Sequence, residues 1–224
     1  MPVIADLHVH TTYSDDSLIT PQDLVYYAKK NGLNAVAVTD HNRLEGALKI
    51  AKETDFFIIP GMEVSSKHGH IVALNVSEAV PRGLSATETI DRIHAAGGIA
   101  IACHPFALFK GSLGKNVSGK FDAIETLNAR AFPFNRNRKK AEEAAKNLGL
   151  PRVAGTDAHY GPQIGSAYTI IDAEPNAQAV VDAILAGRCR PAGGPVPLVL
   201  NVQQQIQRLK RLMGKASRGP AGMV

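Results

Sequence analysis

The sequence predicts a parallel α/β barrel with about seven strands, and three observations favour this fold class. Apolar strand-like runs alternate with amphipathic helix-like segments along most of the 224 residues. A hydrophobic content of 45% is enough to build the core of one large domain. Six of the eight histidines lie in short motifs that end these apolar runs. Because the chemistry of a βα barrel is located at the carboxyl ends of its strands, the histidines stand where active-site residues would.

The individual elements follow from local signals. Thr20, Pro21 and Gly32 mark the first helix with a cap, a first-turn proline and a terminator. Gly97 and Gly98 end a later helix in a similar way. The seven predicted strands are Val3 to His10, Ala35 to Asp40, Phe56 to Val64, His70 to Val76, Ile99 to Cys103, Ala123 to Leu127 and Arg152 to Gly155, and Ala167 to Ile171 is a candidate for one more. The predicted helices are Pro21 to Gly32, Leu44 to Glu53, Ser85 to Ala96, Arg136 to Leu148 and Ala177 to Leu185.

The alternating pattern ends near Gly193, where prolines and glycines become frequent. We therefore predict a barrel domain of residues 1–192 and a C-terminal tail of residues 193–224. Within the tail, Gln203 to Met213 carries apolar side chains at helical spacing, which predicts a short amphipathic helix. This helix is expected to pack against the barrel or to form a homodimer with a second subunit.

Basic charge is concentrated in the same tail. The chain has a formal net charge of +5, but the first 182 residues carry only −2 because no acidic residue follows Asp182. A basic tail is able to contact nucleic acid or another anionic surface. A solvated helix face with a frayed end is an equally good interpretation. The seven basic residues after Asp182 are Arg188, Arg190, Arg208, Lys210, Arg211, Lys215 and Arg218.

Several features favour a cytoplasmic protein. No apolar run approaches the ~20 residues of a membrane-spanning helix, so no membrane span is expected. Asp6, His8 and His10 interrupt the early apolar stretch, which is unlike a signal peptide. The two cysteines, Cys103 and Cys189, make a poor disulfide framework and fit a reducing compartment.

The histidine motifs predict a metal site. Side chains alternate between the two faces of a strand, so His8 and His10 point the same way, as do Asp157 and His159. Ligand pairs from separate parallel strands converge on one point if the carboxyl ends of those strands meet. Imidazole and carboxylate donors without thiolate suit zinc, manganese or iron(II).

Five motifs in a fixed order give the chain a specific family resemblance. It resembles the PHP superfamily, the polymerase and histidinol phosphatase group of metal-dependent phosphoesterases, from Val3 to about Arg190. The resemblance implies a distorted seven-stranded βα barrel of the small stand-alone type. The five motifs are Asp6-Leu-His8-Val-His10-Thr-Thr-Tyr-Ser14-Asp15, Val38-Thr-Asp40-His41-Asn, Gly61-Met-Glu63, Ala95-Ala-Gly-Gly-Ile-Ala-Ile-Ala-Cys-His104-Pro105 and Gly155-Thr-Asp157-Ala-His159.

The resemblance also implies a centre of two to three divalent transition metal ions, zinc, manganese or iron. Glu63 would bridge the first two ions, and Glu63, Asp157 and His104 are the expected catalytic residues. His68 is an alternative to His70, and Asp16 is an alternative to Asp15. The implied ligands are His8, His10, Glu63 and Asp157 for the first ion, Glu63, His70 and His104 for the second, and Asp15, His41 and His159 for the third.

Four further acidic residues lie near these motifs. Asp6 and Asp40 are expected to orient histidine rings, because carboxylates commonly hold the second nitrogen of a metal-binding imidazole. Asp122 and Glu125 flank or lie in the sixth strand without partners in the motifs, so they are expected to be structural or exposed.

The expected chemistry is hydrolysis of a phosphate ester. Three carboxylates against three divalent ions leave the site with excess positive charge, which suits an anionic substrate. Two close metals can share a hydroxide that attacks phosphorus, so a bridging hydroxide is the expected nucleophile. Arg43 and Arg130 follow strand ends and are candidate phosphate-binding residues.

Three classes of function remain open at this point. The first is a phosphoesterase that acts on a small phosphorylated metabolite or a nucleotide. The second is a nuclease whose basic tail holds the nucleic acid strand, although the chain has no tryptophan and few aromatic residues for base stacking. The third is a non-catalytic metal-binding scaffold, which would be indicated by lost ligands, and no such loss is visible.

Overall fold

The computed structural model describes residues 1–108 and 111–216. Its helices and strands alternate over most of the chain, as the sequence predicts. The strands are β1 Val3–Val9, β2 Ala35–Val38, β3 Phe57–Ser66, β4 Gly69–Leu74, β5 Ile99–Ala102, β6 Ala123–Asn128, β7 Arg152–Gly155, β8 Ala167–Ile171 and β9 Cys189–Gly193. The helices are α1 Pro21–Lys30, α2 Glu45–Glu53, α3 Ala86–Ala95, α4 Phe134–Leu148, α5 Ala177–Leu185 and α6 Leu198–Ala216.

The strands form one curved sheet in the order β7-β6-β5-β4-β3-β2-β1-β8-β9. Just beyond the ends of β1 and β7 the backbones meet, because Val9 forms a parallel bridge with Ala158. The Asp157 amide donates to the His8 carbonyl at 2.7 Å, and the His10 amide donates to the Ala158 carbonyl at 2.9 Å. The sheet is therefore a nearly closed barrel, and the predicted α/β barrel class is confirmed.

The prediction of a parallel sheet is wrong for β4 and β8, and the strand β9, which was not predicted, is also antiparallel to its neighbour. β4 is antiparallel to β3 and β5, and β8 is antiparallel to β1 and β9. Only residues 67–68 separate β3 from β4, and a parallel connection needs a crossover of a dozen or more residues. The short connection therefore forces a hairpin. β9 was not predicted because Pro191 and Gly193 resemble strand breakers, but β9 is the edge strand of the sheet, where proline is tolerated.

Apolar side chains pack against both faces of the curved sheet, one layer on each face. The barrel interior is filled by side chains such as Ala5, Leu7 and Ile101, and α5 contributes Val180 and Ile184 to the same cluster. The second layer lies between the outside of the sheet and the remaining helices. The interior is thus packed, and the open end of the barrel is left for polar side chains.

Helix caps follow the predicted signals. The Thr20 side chain accepts from the Asp23 amide, while the Asp23 carboxylate accepts from Thr20, and Pro21 occupies the first turn of α1. Helix α4 begins at Phe134, before the predicted Arg136, and ends at Leu148. Gly149 caps it in the left-handed conformation, with a φ of 67°.

Helix α6 is longer than the predicted Gln203 to Met213. It contacts the body of the protein through Gln204, which is buried, and Val196 just before the helix is also buried. The opposite face is apolar and exposed, from Leu198 at 77% exposure to Met213 at 71%. A homodimer through this face stays a prediction, as does the division of the chain at residue 193. Among the described residues no helix has both the length and the apolar character that spanning a membrane requires.

Candidate metal centre

The predicted histidine motifs meet at the open end of the barrel. A bulge between Asp6 and Val9 changes the phase of β1, so that Leu7 lies in the barrel interior while His8 and His10 join the polar cluster above it. The two rings lie with centroids 5.2 Å apart. The clustered residues predicted as ligands come from the ends of β1, β2, β3, β4, β5 and β7.

Glu63 lies at the middle of the cluster and is only 1% exposed. His104 Nε2 lies 2.9 Å from its Oε1, and His70 Nδ1 lies 3.0 Å from the same atom. On the other oxygen, His41 Nδ1 lies 2.9 Å and His10 Nε2 3.3 Å from Oε2. Both carboxylate oxygens of Glu63 thus face imidazole nitrogens, as a bridging ligand requires.

Asp157 and His104 have unusual backbone conformations. Their φ angles are 62° and 30°, in a region that side-chain-bearing residues rarely adopt. The His104 amide donates to Glu125 Oε2 at 2.7 Å, and the Asp157 amide donates to the His8 carbonyl at 2.7 Å. Asp157 Oδ1 then lies 3.6 Å from His10 Nε2. Backbone strain of this kind concentrates at functional sites, and here it directs two candidate ligands toward Glu63.

Asp16, rather than Asp15, is the carboxylate that the structure places in the cluster. Asp16 Oδ2 lies 2.9 Å from His159 Nε2 and 3.6 Å from His41 Nε2. Asp15 is exposed and lies on the wall of a neighbouring cavity. The expectation that Asp15 joins His41 and His159 is therefore not supported by the geometry, and Asp16 takes its place.

His70 and His68 are distinguished in the same way. His70 Nδ1 faces Glu63, as described above, whereas His68 is exposed and its Nδ1 accepts from the Ala86 amide. His68 lies in the turn between β3 and β4, and His70 lies in β4. The alternation of faces along a strand therefore does not apply to this pair, although the residues are two apart. The geometry favours His70.

Glu125 is a residue of the site that the sequence reasoning missed. Its side chain is buried, its Oε1 lies 3.2 Å from His8 Nδ1, and its Oε2 accepts from the His104 amide. It therefore orients His8 in the manner expected of a carboxylate behind a metal-binding imidazole. Its signal in the sequence was a lone acid inside the apolar run from Ala123 to Leu127.

Among the described residues, Asp6 and Asp40 hydrogen-bond to backbone amides and hydroxyl groups and not directly to a histidine ring, contrary to expectation. Asp6 accepts from the backbone amides of Thr156 and Gly165 at 2.8 and 2.9 Å. Asp40 accepts from the Thr11 amide and hydroxyl, both at 2.7 Å. Each carboxylate accepts hydrogen bonds from groups in loops at the barrel mouth. The two side chains therefore hold those loops in place.

The cluster also perturbs the ionisation of its members. Burial alone raises the pKa of Glu63, but the His8 charge and hydrogen bonds from neighbouring imidazoles outweigh burial and hold the pKa well below its ordinary value. Burial alone lowers the pKa of His41, but Asp16 and Glu63 outweigh it and raise the pKa to about 10. Burial and the nearby His159 charge lower the pKa of His10. The Glu63 carboxylate is thus held ionised by the positive charge and the hydrogen bonds of the neighbouring imidazoles.

Unsatisfied polar atoms test whether metal ions fit this site. Several groups of three donors, such as His8 with His10 and Glu63, have their ligand atoms within 4.8 Å of one another. Buried polar atoms are normally hydrogen-bonded, so a concentration of exceptions at one point indicates a missing partner. The buried side-chain atoms of this cluster that lack a hydrogen-bond partner among the described residues are His8 Nε2, His10 Nε2, Asp16 Oδ1, Glu63 Oε2 and His104 Nδ1. The donors therefore fit metal ions.

Cys103 is a further unforeseen neighbour. It is buried, and its Sγ lies 3.5 Å from Glu63 Oε1. Burial and the surrounding carboxylates raise the pKa of the thiol well above its ordinary value. In the absence of a metal ion the thiol is thus a weak donor to Glu63, and its sulfur lies in one of the donor groups, with Glu63 and His104, that could hold an ion.

The two predicted phosphate-binding arginines occupy different cavities. Arg130 lines the cavity of about 350 Å³ that contains Glu63, and its Nη1 donates to the Asp157 carbonyl at 2.9 Å. It also contacts the His159 ring. Arg43 lies outside this cavity, in the neighbouring one, and donates from Nη1 to the Tyr13 carbonyl at 3.0 Å.

Helix α6 is hydrogen-bonded to two loops of the cluster. Gln163 accepts from the His159 amide at 3.3 Å and donates to Gln204 Oε1 at 3.0 Å. Arg211 Nη1 donates to the Ser17 carbonyl at 3.0 Å, one residue after Asp16. Removal of the tail would therefore disturb the loops that carry Asp16 and His159, so the function of its charge is better tested by substitution than by deletion.

Together the fold and the site define a βα barrel with a histidine-rich metal-binding cluster at its open end. A family model of the PHP domain matches residues 6–104, and a model of the PHP-associated family matches residues 135–189. An uncharacterized protein of Methanocaldococcus jannaschii, MJ1587, is 37% identical over 139 residues, which cover 56% of this chain and 81% of that protein. The chain belongs to the PHP family of metal-dependent phosphoesterases.

Two further similarities are a solved structure that shares the fold and an enzyme that matches over part of its length. A two-domain crystal structure from Bacteroides vulgatus contains a predicted PHP-like metal-dependent phosphoesterase. It matches 87% of this chain with a TM-score of 0.70 and 17% identity, over 65% of its own length, and so supports the fold. The 5'-3' exoribonuclease Rnm of Salmonella typhimurium is 40% identical over 89 residues, which are 35% of this chain but only 30% of that enzyme.

Proposed function

We propose that this protein is a metal-dependent phosphoesterase that hydrolyses a phosphate ester of a small phosphorylated metabolite or a nucleotide. One observation carries the proposal, namely the convergence of buried, unpaired imidazole and carboxylate atoms around Glu63. Membership of the PHP family implies dependence on divalent metal ions. When bound, the ions would supply positive charge and activate water as the nucleophile.

We propose two to three ions, zinc, manganese or iron, with the ligand set implied by the family resemblance and adjusted at one position. Asp16 replaces Asp15, because Asp16 Oδ2 lies 2.9 Å from His159 Nε2 whereas Asp15 is exposed. Three carboxylates among nine side chains leave the filled centre with an excess of positive charge, which favours an anionic substrate. The proposed ligands are His8, His10, Asp16, His41, Glu63, His70, His104, Asp157 and His159.

The remaining polar groups of this cavity suggest how the chain assists the reaction. Arg130 is half-buried in the cavity, and its guanidinium can donate to phosphate oxygens while it stays bonded to the Asp157 carbonyl. Arg130 Nη1 and the Asp157 carbonyl both contact His159 Nδ1, so Nε2, which faces Asp16, is the ring nitrogen available to a metal. Of the three expected catalytic residues, Asp157 and His104 are held by the backbone hydrogen bonds described above, and Glu63 by its contacts with the imidazoles.

A nuclease is the second candidate, since 89 residues of the chain match an exoribonuclease and the tail is basic. The two candidates share the metal centre and differ in what holds the rest of the substrate. A nuclease would use Arg208 and Lys210 on α6, whereas a metabolite phosphatase would not. A metal-binding scaffold without activity is disfavoured because a histidine or a carboxylate occupies every expected ligand position.

A substrate screen tests the proposal. With manganese, zinc or iron(II), we expect hydrolysis of p-nitrophenyl phosphate and nucleoside monophosphates, and loss of activity in a chelator. An absence of hydrolysis of these esters, of bis(p-nitrophenyl) phosphate and of short oligonucleotides with every metal would contradict it. If Arg208→Gln with Lys210→Gln abolishes oligonucleotide cleavage only, the nuclease is the better assignment. Lys139→Gln with Lys140→Gln, on the exposed face of α4, is the matched charge control.

A further inference from the structure

A second cavity of about 550 Å³ adjoins the candidate metal centre. Asp16 and His41 line both cavities, so the two are continuous at these side chains. The other walls come from the loop after β1, the loop after β2 and residues 79–82 between β4 and α3. A molecule with one phosphate at the metal centre would extend its organic part into this space. The size lies within the roughly 300–1,000 Å³ of small-molecule sites.

Hydrogen bonds between loops fix the walls of this cavity. The Ser65 amide donates to Asn42 Oδ1 at 2.9 Å, and Asn42 Nδ2 donates back to the Ser65 hydroxyl at 3.1 Å. The buried Val80 anchors the third wall, since its amide donates to Met62 Sδ at 3.3 Å. The Gly83 amide, just beyond this wall, donates to the Ser65 carbonyl at 2.8 Å. The cavity is therefore a built feature of the barrel mouth.

Two guanidinium groups give the cavity its charge. Arg43 and Arg82 both line it, and neither forms an ion pair with a residue that the structure describes. Asp16 is engaged by His41 and His159, so Asp15 is the one remaining acidic side chain on the lining. Two unpaired arginines near one exposed carboxylate leave an excess of positive charge, and arginine is suited to bidentate contact with phosphate.

We propose that this cavity is a second anion subsite, in which Arg43 and Arg82 bind a second phosphoryl group on the organic part of the substrate. The inference rests on the proposed phosphoesterase function and narrows its substrate class to esters with two phosphate groups. It also gives Arg43 a different role from the expected clamp on the reacting phosphate. Arg130 is the arginine beside the metal centre, and Arg43 acts at the other end of the substrate.

The test compares matched pairs of ligands with one and two phosphates. Fructose 6-phosphate and fructose 1,6-bisphosphate form one pair, and adenosine monophosphate and adenosine diphosphate form another. Each is measured as a competitor of p-nitrophenyl phosphate hydrolysis, and by calorimetry on metal-loaded protein. We expect the bisphosphate of at least one pair to bind about tenfold more tightly than its partner. We expect Arg82→Gln to remove that preference.

Arg92→Gln, an exposed arginine on α3 outside the cavity, is the matched control and should keep the preference. Equal binding of both members of every pair would overturn the subsite, as would an unchanged preference in Arg82→Gln. Failure of the phosphoesterase proposal is a separate result, namely no hydrolysis of p-nitrophenyl phosphate with any metal. In that case calorimetry still measures the preference directly.

Discussion

Replacement of Glu63 with Gln is expected to empty the bridged pair of metal sites and to reduce turnover by about three orders of magnitude. The amide has the shape of the carboxylate but lacks its negative charge, and one of its two donor atoms becomes an N–H group. Five histidines face the Glu63 carboxylate within 3.5 Å, so the loss of its negative charge affects all of them at once. The rate of p-nitrophenyl phosphate hydrolysis and the metal content after dialysis are the two measurements.

Glu143→Gln is the matched control, because Glu143 is exposed on α4 and far from the cluster. It should retain both metal and activity. Circular dichroism should show that the Glu63 variant is folded. A folded Glu63→Gln protein with activity close to that of the unchanged protein would remove Glu63 from the mechanism.

Replacement of Asp16 with Asn is expected to release one metal ion and to lower turnover at least about 10- to 100-fold. Loss of a residue that only hydrogen-bonds to a metal ligand typically has an effect of this size, and loss of a ligand should have no smaller one. The Asp16 carboxylate lies within 4 Å of a ring nitrogen of both His41 and His159, so it can share a metal ion with both rings. Asp15→Asn is the internal control, since that side chain is exposed.

The comparison of these adjacent residues is decisive because both variants lose one negative charge at the same loop. A general electrostatic effect would lower the activity of both variants to a similar degree. A ligand effect would be confined to Asp16→Asn. A larger loss of metal from Asp15→Asn than from Asp16→Asn would restore the ligand implied by the family resemblance and contradict the geometry.

Much of the barrel could be predicted because its pattern is local. Alternation of apolar runs and capped helices locates β1 to β8 within a few residues. Strand direction is a property of connections, and the predicted parallel sheet failed where residues 67–68 are too short to cross the sheet. The edge strand β9 was missed because proline and glycine are read as breakers wherever they stand, although an edge position tolerates them.

The candidate site divides in the same way. His8 and His10 lie at the carboxyl end of β1 and Glu63 lies within β3, where period-two geometry and the motifs indicate their direction. Asp15 and Asp16 lie in a loop, and a loop has no period from which to decide which of two adjacent carboxylates turns inward. Glu125 was missed because its partner His8 is 117 residues away in the chain, so only the closed barrel reveals the contact.

Crystals of the protein grown with manganese or zinc, measured at the absorption edge of the metal, test the central claim most directly. Two or three anomalous peaks are expected in the cavity between Glu63, His104 and His159, with the Glu63 carboxylate between two of them. Crystals that show these side chains in place with no peak among them, from protein that hydrolyses phosphate esters, would contradict the account.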